Sequence, residues 1–381
     1  MPRARPQRDA MLRLLLLSFA FLALSIGMLQ NLQRTPFPFV QLDEQGHYAY
    51  ARTLVIEQRW WPDFSQFSMI DSTDQPRNER NYINHPPTFY WLAKILPLPR
   101  GEVYRSLTVA IALLTFFFYL RLGYQLALPL APTALYALLP LLFALYHQAG
   151  FFSNDSLAML GGTLAVIGSM RWLQNAPRAH WLMLLGIAGA SVKLTALLLV
   201  GFYVAAVVAQ HRRRLPWPQL TVIALSLIVL ALPYLWLWHT QGSPAPMTLG
   251  QADMLRHNAT QWGWIDAPRM DVLPWLATVL QNFTDQYAGP EITAVPVLIV
   301  IASLLILSTT RKGDATAIAR AAAIATLLTL IVHLTYSWQR YREFGWLLDT
   351  FIRYYFPLLA AYGMSSAQTL RQLLERSRHA T

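Results

Sequence analysis

The sequence predicts an all-α polytopic membrane protein, and three observations lead to this prediction. Of the 381 residues, 55% are hydrophobic and only 13% are charged. The apolar residues fall in runs of roughly 17–25, the length of helix that crosses a bilayer. No polar stretch is long enough to form a separate domain of ordinary size, so we expect residues 1–381 to form a single membrane domain.

We predict about ten transmembrane helices from the apolar runs. The first run follows a basic N-terminal stretch and exceeds the usual core of a signal peptide, about 7–15 residues, so we expect a retained anchor. The predicted spans cover about residues 11–30, 105–123, 126–146, 156–172, 181–193, 194–210, 217–239, 292–310, 318–336 and 353–370.

The basic residues set the predicted orientation. The net charge is +11, from 30 basic and 19 acidic residues. With both termini in the cytoplasm, the short inner segments hold 16 of the basic residues and only three acidic ones. This bias is the positive-inside pattern of a cell inner (plasma) membrane protein, so the excess charge indicates topology and not a nucleic-acid surface. The inner basic residues are Arg3, Arg5, Arg8, Arg13, Arg121, Arg171, Arg178, Arg212, Arg213, Arg214, Arg311, Lys312, Arg320, Arg371, Arg376 and Arg378.

Two long segments, at about 31–104 and 240–291, and a short one around 148–155 lie on the predicted outer side. The inner turns are mostly short, so we expect function on the extracytoplasmic face. The chain has no cysteine and no glycine-rich loop of the nucleotide-binding kind. A lipid-carried donor therefore fits an enzyme at this face better than a nucleotide does.

The first outer loop begins with a predicted helix. His47, Tyr50, Ala51, Leu54 and Val55 follow helical spacing, whereas Gln45, Arg52 and Arg59 lie opposite. This pattern predicts an amphipathic helix lying on the membrane surface. After a polar stretch that we interpret as a surface loop, Pro86 and Pro87 predict the start of a short apolar helix, 88–95.

Asp43 and Glu44 are the first candidates for chemistry. Asp43 lies four residues before His47 and so falls on the apolar side of the predicted helix. A charge near lipid is costly, about 2.5–3.5 kcal/mol for an Asp at the centre of a span, so such acids usually face a cavity or a substrate. A partly desolvated carboxylate suits a general base, whereas the alternative is an acidic pair that serves the helix dipole.

His47 and Asp155 each have functional interpretations and a structural one. His47 could bond to Asp43, bind a metal ion or be a structural histidine. Asp155, at the outer mouth of span four, could be a second acid or acceptor-binding group, or it could cap its helix.

Two basic residues lie on the predicted outer side, contrary to the positive-inside pattern. Lys193 stands where spans five and six reverse, and Arg353 opens span ten on the same outer side. Each suits a phosphate, Arg as a two-point fork and Lys as a point charge. The alternative is an interfacial side chain that reaches lipid head groups. Arg105 is a third candidate.

Together these motifs resemble the GT-C-type membrane glycosyltransferases, in particular the protein-mannosyltransferase-like and related bacterial branches. The resemblance spans about residues 10–370, with Ile352 standing where many relatives have glycine. It rests on Asp43-Glu44-x-x-His47, His85-Pro86-Pro87, Asn154-Asp155, Lys193, and Arg353-Tyr354 with Pro357.

The resemblance implies transfer of a sugar, with inversion, from a polyprenyl-phosphate carrier to a glycan, lipid or protein acceptor. Asp43 would be the base and Glu44 its catalytic neighbour. The donor phosphate would be held by Lys193, Arg353, Tyr354 and Arg105. Substrate contacts would come from His47, His85, Asn154 and Asp155. A divalent metal ion is an open requirement, with Asp43, Glu44, His47 and Asp155 as candidate ligands.

Two other functions remain open. A transporter or flippase for a lipid-linked or anionic substrate would favour ionisable groups near the membrane midplane and paired halves. A non-catalytic subunit of envelope-glycan assembly would tolerate substitution of Asp43, Lys193 and Arg353.

Overall fold

The computed structural model describes residues 4–39, 43–71, 73–96, 98–143, 145–210, 217–285, 290–309, 313–347 and 352–380. About 75% of the chain is helical, which confirms the predicted predominantly α-helical membrane class. Among the described residues, six helices are long and apolar enough to cross a membrane. They are Gln7–Arg34, Val103–Gln125, Leu130–His147, Asp155–Leu173, Trp217–Gln241 and Asp314–Phe344.

The described helices follow one another along the chain, and the long connection between the second and third helices carries two strands. They are α1 (Ala4–Arg34), α2 (Glu44–Ile56), α3 (Thr88–Ile95), α4 (Val103–Gln125), α5 (Leu130–Leu142), α6 (Asp155–Leu173), α7 (Ala179–Ala190), α8 (Leu194–Gln210), α9 (Trp217–Gln241), α10 (Leu249–Gln261), α11 (Val272–Asp285), α12 (Pro290–Thr309), α13 (Asp314–Phe344) and α14 (Leu359–Ala380). Short 3-10 helices occupy Leu145–His147 and Ile352–Leu358.

The predicted number of ten spans is not confirmed. Three predicted spans correspond to shorter apolar helices, Ala179–Ala190, Leu194–Gln210 and Pro296–Ser308. The tenth differs in kind, because the 3-10 helix Ile352–Leu358 precedes α14, and α14 itself has a polar composition. Pro357 lies in this 3-10 stretch. A proline lacks the N–H that would continue a regular α-helix, which accounts for the irregular start.

Small residues let the central helices approach closely. A side chain added at Gly161 of α6 would lie 2.5 Å from the Gly186 carbonyl oxygen of α7. One added at Gly162 would overlap the Pro357 carbonyl, so the 3-10 helix rests directly on α6. Glycine at such contacts is typical of helices packed within membranes.

The first outer loop differs from the prediction in two respects. Its polar stretch forms a two-stranded antiparallel hairpin, β1 (Ser68–Ile70) and β2 (Pro76–Arg80), and β1 packs against α2. Gln45 on the predicted polar face of α2 is buried, and Arg52 is only 12% exposed because it pairs with Asp74 of the hairpin. The prediction that α2 is an amphipathic helix on the membrane surface is therefore wrong, because protein covers both faces of α2.

The second helix of this loop matches its prediction. The helix α3 begins at Thr88, directly after Pro87, and ends at Ile95. Phe89, Tyr90 and Ala93 are buried, so α3 packs its apolar face against α2 and the core. The loop thus forms a folded cover over the ends of the spans.

Candidate functional site

Asp43 stands at the N-terminal end of α2 in a left-handed backbone conformation, with φ 63°. Its side chain makes no capping hydrogen bond to the helix. Its Oδ2 instead accepts a hydrogen bond of 2.6 Å from Nη2 of Arg353. A non-glycine residue in this conformation is uncommon and costs on the order of 1–3 kcal/mol, so the surrounding structure holds Asp43 in place. Asp43 and Glu44 both lie at the N-terminal end of α2, so the alternative of an acidic pair that serves the helix dipole stays open.

Arg353 reaches Asp43 from the 3-10 helix Ile352–Leu358. Its side chain is 9% exposed and that of Asp43 is 31% exposed, so the pair is buried on the cation side and accessible on the acid side. The close contact of Gly162 with Pro357 fixes the distance between this 3-10 helix and α6.

Lys193 and Asp155 form a second ion pair. Lys193 lies in the turn between α7 and α8, and its Nζ is 2.5 Å from Oδ1 of Asp155, the first residue of α6. Lys193 is 7% exposed, which contradicts the alternative of a cation that reaches lipid head groups. The N-cap position belongs to Asn154, so Asp155 does not cap α6. Asn154 donates from Nδ2 to the Val192 carbonyl at 3.0 Å and thereby ties the lysine turn to α6.

Tyr354 brings the two cations together. The Lys193 ammonium lies 4.5 Å from the centre of its ring, and the Arg353 guanidinium carbon lies 5.5 Å from it. A cation within about 6 Å of an aromatic ring centre is attracted by the negative face of the ring. The ring therefore stabilises two like charges that belong to different elements of the fold.

A cleft opens beside the two ion pairs. It is small, with a cavity volume of about 10 Å³, and each pair contributes one charged residue to its wall, Asp155 and Arg353. The remaining lining residues are Gln148, Phe151, Ser153, Met159 and Phe356. The wall is thus mixed, with aromatic and aliphatic surface next to one acid and one cation.

His47 and His85 form a neutral aromatic layer near the pairs. Their rings stack with centres 6.1 Å apart, and Nδ1 of His47 lies 2.6 Å from the Tyr90 hydroxyl. Burial lowers the pKa of His47 to about 3, with the Lys193 and Arg353 charges acting in the same direction and the Asp155 charge opposing them. Burial and the Lys193 charge also lower the pKa of His85 well below its usual value. Both rings are therefore uncharged at neutral pH.

Glu44 points away from the cleft. It is fully buried, and Arg105 grips it with two parallel hydrogen bonds, Nε to Oε1 at 2.8 Å and Nη2 to Oε2 at 2.6 Å. The backbone N–H groups of Phe39 and Phe152 donate to the same carboxylate at 2.8 and 2.9 Å. Glu44 therefore joins α2 to the segment that leads into Asn154 and Asp155.

Arg105 uses its remaining donors on the backbone. It donates to the carbonyls of Leu32, Thr35 and Pro36. With the two bonds to Glu44, the five N–H donors of a guanidinium are all engaged. In this structure Glu44 and Arg105 use their hydrogen-bonding groups on each other and on the backbone, and neither is directed at a substrate position.

The four candidate metal ligands do not come together. Among the described residues, no three His, Asp or Glu side chains are grouped so that they could hold a metal ion. Asp43 and Asp155 face cations, Glu44 faces Arg105, and His47 faces Tyr90. These side chains therefore do not fit a divalent ion in this conformation.

Sequence reasoning missed Tyr90 and His333. Tyr90 lies in a short apolar helix, where a tyrosine looks like ordinary core, and only the fold brings it to His47. His333 lies in the apolar run of α13, and its ring centre is 5.1 Å from that of Tyr354. An ionisable residue inside a predicted span was the available signal.

Comparison of the chain with protein families, curated proteins and solved structures gives no match. The glycosyltransferase resemblance therefore rests on the motifs themselves. The structure brings Asp43, Asp155, Lys193 and the consecutive residues Arg353 and Tyr354 to one site from four separate parts of the chain.

Proposed function

We propose that the chain is a membrane glycosyltransferase of the GT-C type that uses a polyprenyl-phosphate-linked sugar. The observation that carries this proposal is that Arg353 and Lys193 both lie against the Tyr354 ring and so belong to one site. Two fixed cations beside a partly apolar cleft suit a lipid phosphate, whose charge needs partners and whose chain needs apolar surface. Preorganised cations also stabilise the charge that develops on a leaving phosphate.

Asp43 is the proposed base. It takes the proton of an acceptor hydroxyl or amine while the acceptor atom bonds to the anomeric carbon of the sugar. The bond from that carbon to the phosphate oxygen breaks, and the lipid phosphate leaves with the electron pair. Attack from the face opposite the phosphate inverts the anomeric carbon. The 31% exposure of Asp43 leaves room for an acceptor to approach.

The two ion pairs determine how the donor phosphate binds. In the structure, each cation is neutralised by a carboxylate, Asp43 on Arg353 and Asp155 on Lys193. A phosphate that binds both cations competes with these carboxylates. When it takes the guanidinium, the lone pairs of Asp43 are released for the acceptor proton. Donor binding therefore prepares the base.

Other residues take supporting roles. We assign Glu44 and Arg105 to positioning, because their mutual bonds hold the start of α2 against the Phe152 segment. His47 and His85 are proposed to contact the substrate as neutral rings. Asn154 is proposed to act through the lysine turn, which its amide holds.

The charge distribution in the sequence supports an extracytoplasmic site. The folded cover formed by α2, α3 and the hairpin belongs to the first loop on the predicted outer side, and Asp43 lies at its base. We propose an inner (plasma) membrane location with both termini in the cytoplasm. Membrane lipids surround the spans, and the acceptor is a glycan, a lipid or a protein.

The test is transfer by the purified chain in lipid nanodiscs, supplied with polyprenyl-phosphate sugars and an envelope extract as acceptor source. Mass spectrometry of the products and of envelopes with and without the chain identifies the modified molecule. A sugar-bearing product that depends on Asp43 and on the lipid phosphate supports the proposal. Movement of the lipid-linked sugar across liposomes without any transfer would instead indicate a flippase.

A further inference from the structure

A polar stripe runs along one face of α13. Thr329, His333 and Ser337 are spaced by four residues, so they lie above one another on the helix. Thr329 is fully buried, His333 is 8% exposed and Ser337 is 1% exposed. In the part of the chain that the structure describes, Thr329 Oγ1, His333 Nε2 and Ser337 Oγ have no hydrogen-bond partner. Because α13 is a candidate membrane span, unpaired polar atoms on it are unfavourable unless a polar ligand meets them.

The position of His333 connects this stripe to the proposed donor site. The ring centre of His333 is 5.1 Å from that of Tyr354, and the Lys193 ammonium lies 4.5 Å from the Tyr354 ring centre. On its other side, Nδ1 of His333 is 3.1 Å from the Tyr355 hydroxyl. His333 thus lies next to the two aromatic residues that follow Arg353.

The helix register places His333 at the level of Lys193. The helix α8 packs against α13, and the Gln210 amide at the end of α8 donates to the Ala317 carbonyl near the start of α13 at 3.2 Å. The two helices therefore run in opposite directions. At 1.5 Å per residue, the distance from Gln210 back to Lys193 and the distance from Ala317 forward to His333 are both about 24–26 Å. Lys193 and His333 therefore lie at the same level.

The hydrogen bond between Nδ1 of His333 and the Tyr355 hydroxyl can run in either direction, and its direction sets the chemistry of Nε2. When the Tyr355 hydroxyl donates to Nδ1, the neutral ring carries its proton on Nε2. The unmatched Nε2–H is then a donor, so its ligand must be an acceptor. The neighbouring Lys193 ammonium favours a negatively charged acceptor. A phosphate oxygen meets both conditions.

We infer that His333 is a third phosphate-binding residue, which donates from Nε2–H to an oxygen of the carrier-lipid phosphate beside Lys193 and Arg353. This inference rests on the proposed function. It adds an uncharged donor to a site in which the other two are cations, and such a donor orients the phosphate without adding charge. Ser337, one turn further on the same face, extends this donor surface.

A matched pair of substitutions separates the two ring nitrogens. In His333→Gln the amide nitrogen falls near the place of Nε2 and can donate there, whereas in His333→Asn the shorter amide reaches only the place of Nδ1, where its oxygen accepts from Tyr355. Binding of undecaprenyl phosphate to the purified chain in nanodiscs is measured by titration, with thermal unfolding as the folding check. We expect the Kd of His333→Gln within about threefold of wild type and that of His333→Asn raised roughly tenfold or more, the loss typical of a hydrogen bond to a charged group.

The exposed His239 at the end of α9 supplies the control, because its Gln and Asn variants should both bind as wild type does. Wild-type affinity in His333→Asn would overturn the inference, since Nε2 would then not meet the phosphate. Equally weakened lipid-phosphate binding in the Gln and Asn variants of His333 would also overturn the inference. His333 would then serve only to hold Tyr355 in place. Failure of folded wild-type protein to bind the lipid phosphate would overturn the proposed function together with this inference, whereas the first two results leave the proposed function standing.

Discussion

Asp43 and Arg353 are 310 residues apart in the chain, and their side chains meet at 2.6 Å. The partner of the proposed base is thus the residue proposed to receive the donor phosphate. One guanidinium cannot give its best geometry to both anions at once. The two proposed roles therefore follow each other in time, with the phosphate first.

Replacing Asp43 by Asn should abolish transfer and strengthen binding of the lipid phosphate. Loss of a general base lowers the rate by about 10²–10⁴-fold. Binding improves because the carboxylate that competes for Arg353 is gone. Titration with undecaprenyl phosphate and a transfer assay measure the two effects. Asp74→Asn, which removes an acid that pairs with Arg52 outside the cleft lining, is the control. Weaker phosphate binding in Asp43→Asn would contradict the competition.

Replacing Lys193 by Gln should raise the KM for the donor by roughly 10–100-fold, the range expected when one charge-assisted hydrogen bond is lost. Lys193→Arg should recover part of the affinity because it restores the charge. Arg59→Gln, at a side chain that is 53% exposed, should change neither kcat nor KM. An unchanged KM in Lys193→Gln would remove this residue from the donor site.

Sequence patterns predicted the parts of this protein that depend on local composition. The apolar runs gave the membrane class, and Pro86 and Pro87 placed the start of α3 at Thr88. The residue types at Asp43 and Arg353 suggested chemistry. Their direct contact could not be predicted, because it depends on how distant helices pack and no local spacing encodes it.

The wrong expectations have a common cause. Gln45 and Arg52 looked solvent-facing because the helical pattern does not show that a hairpin from the same loop covers them. The strand Pro76–Arg80 has no apolar alternation, so nothing local marked it as a strand. Glu44 appeared equivalent to Asp43, whereas the left-handed turn at Asp43 sends the two carboxylates to different partners.

Removing one partner of the Glu44–Arg105 pair should destabilise the folded chain. Glu44→Gln or Arg105→Gln leaves a buried charge without its match, which costs about 3–5 kcal/mol. Thermal and denaturant-induced unfolding in detergent measures the loss of stability. The exposed pair between Arg371 and Glu375 is the comparison, and its Arg371→Gln variant should cost about 0–1 kcal/mol. Similar losses of stability at the two pairs would contradict the positioning role of Glu44 and Arg105.

The pKa of His47 predicts how stability depends on pH. Burial lowers this pKa from 6.5 to about 3, so the unfolded chain binds a proton in that interval and the folded chain does not. Stability is therefore full above about pH 6.5 and falls with decreasing pH, by up to about 1.4 kcal/mol per pH unit for each such proton. His47→Gln should flatten this slope in melting curves between about pH 4.5 and 7.5. An identical slope in wild type and His47→Gln would contradict the buried neutral state.

Replacing Gly162 by Ala should disturb the site through the 3-10 helix. The new methyl group would overlap the Pro357 carbonyl, and overpacking of this kind typically costs about 1–3 kcal/mol. Because Arg353 lies on the displaced segment, lipid-phosphate binding should weaken as well. Gly201→Ala in α8 is the control, since a methyl group there meets no atom within 4 Å. Equal behaviour of the two variants in melting and binding would show that the contact at Pro357 is not essential.

The ion pair between Asp43 and Arg353 also has a consequence for synthesis in the cell. A ribosome adds about 5–20 residues per second, so the 310 residues between them take roughly 15–60 s. During that interval the nascent acid waits at the membrane surface without its cation. The ion pair is completed only when the last part of the chain is made, so an interrupted translation product carries the acid but lacks the cation of the proposed site.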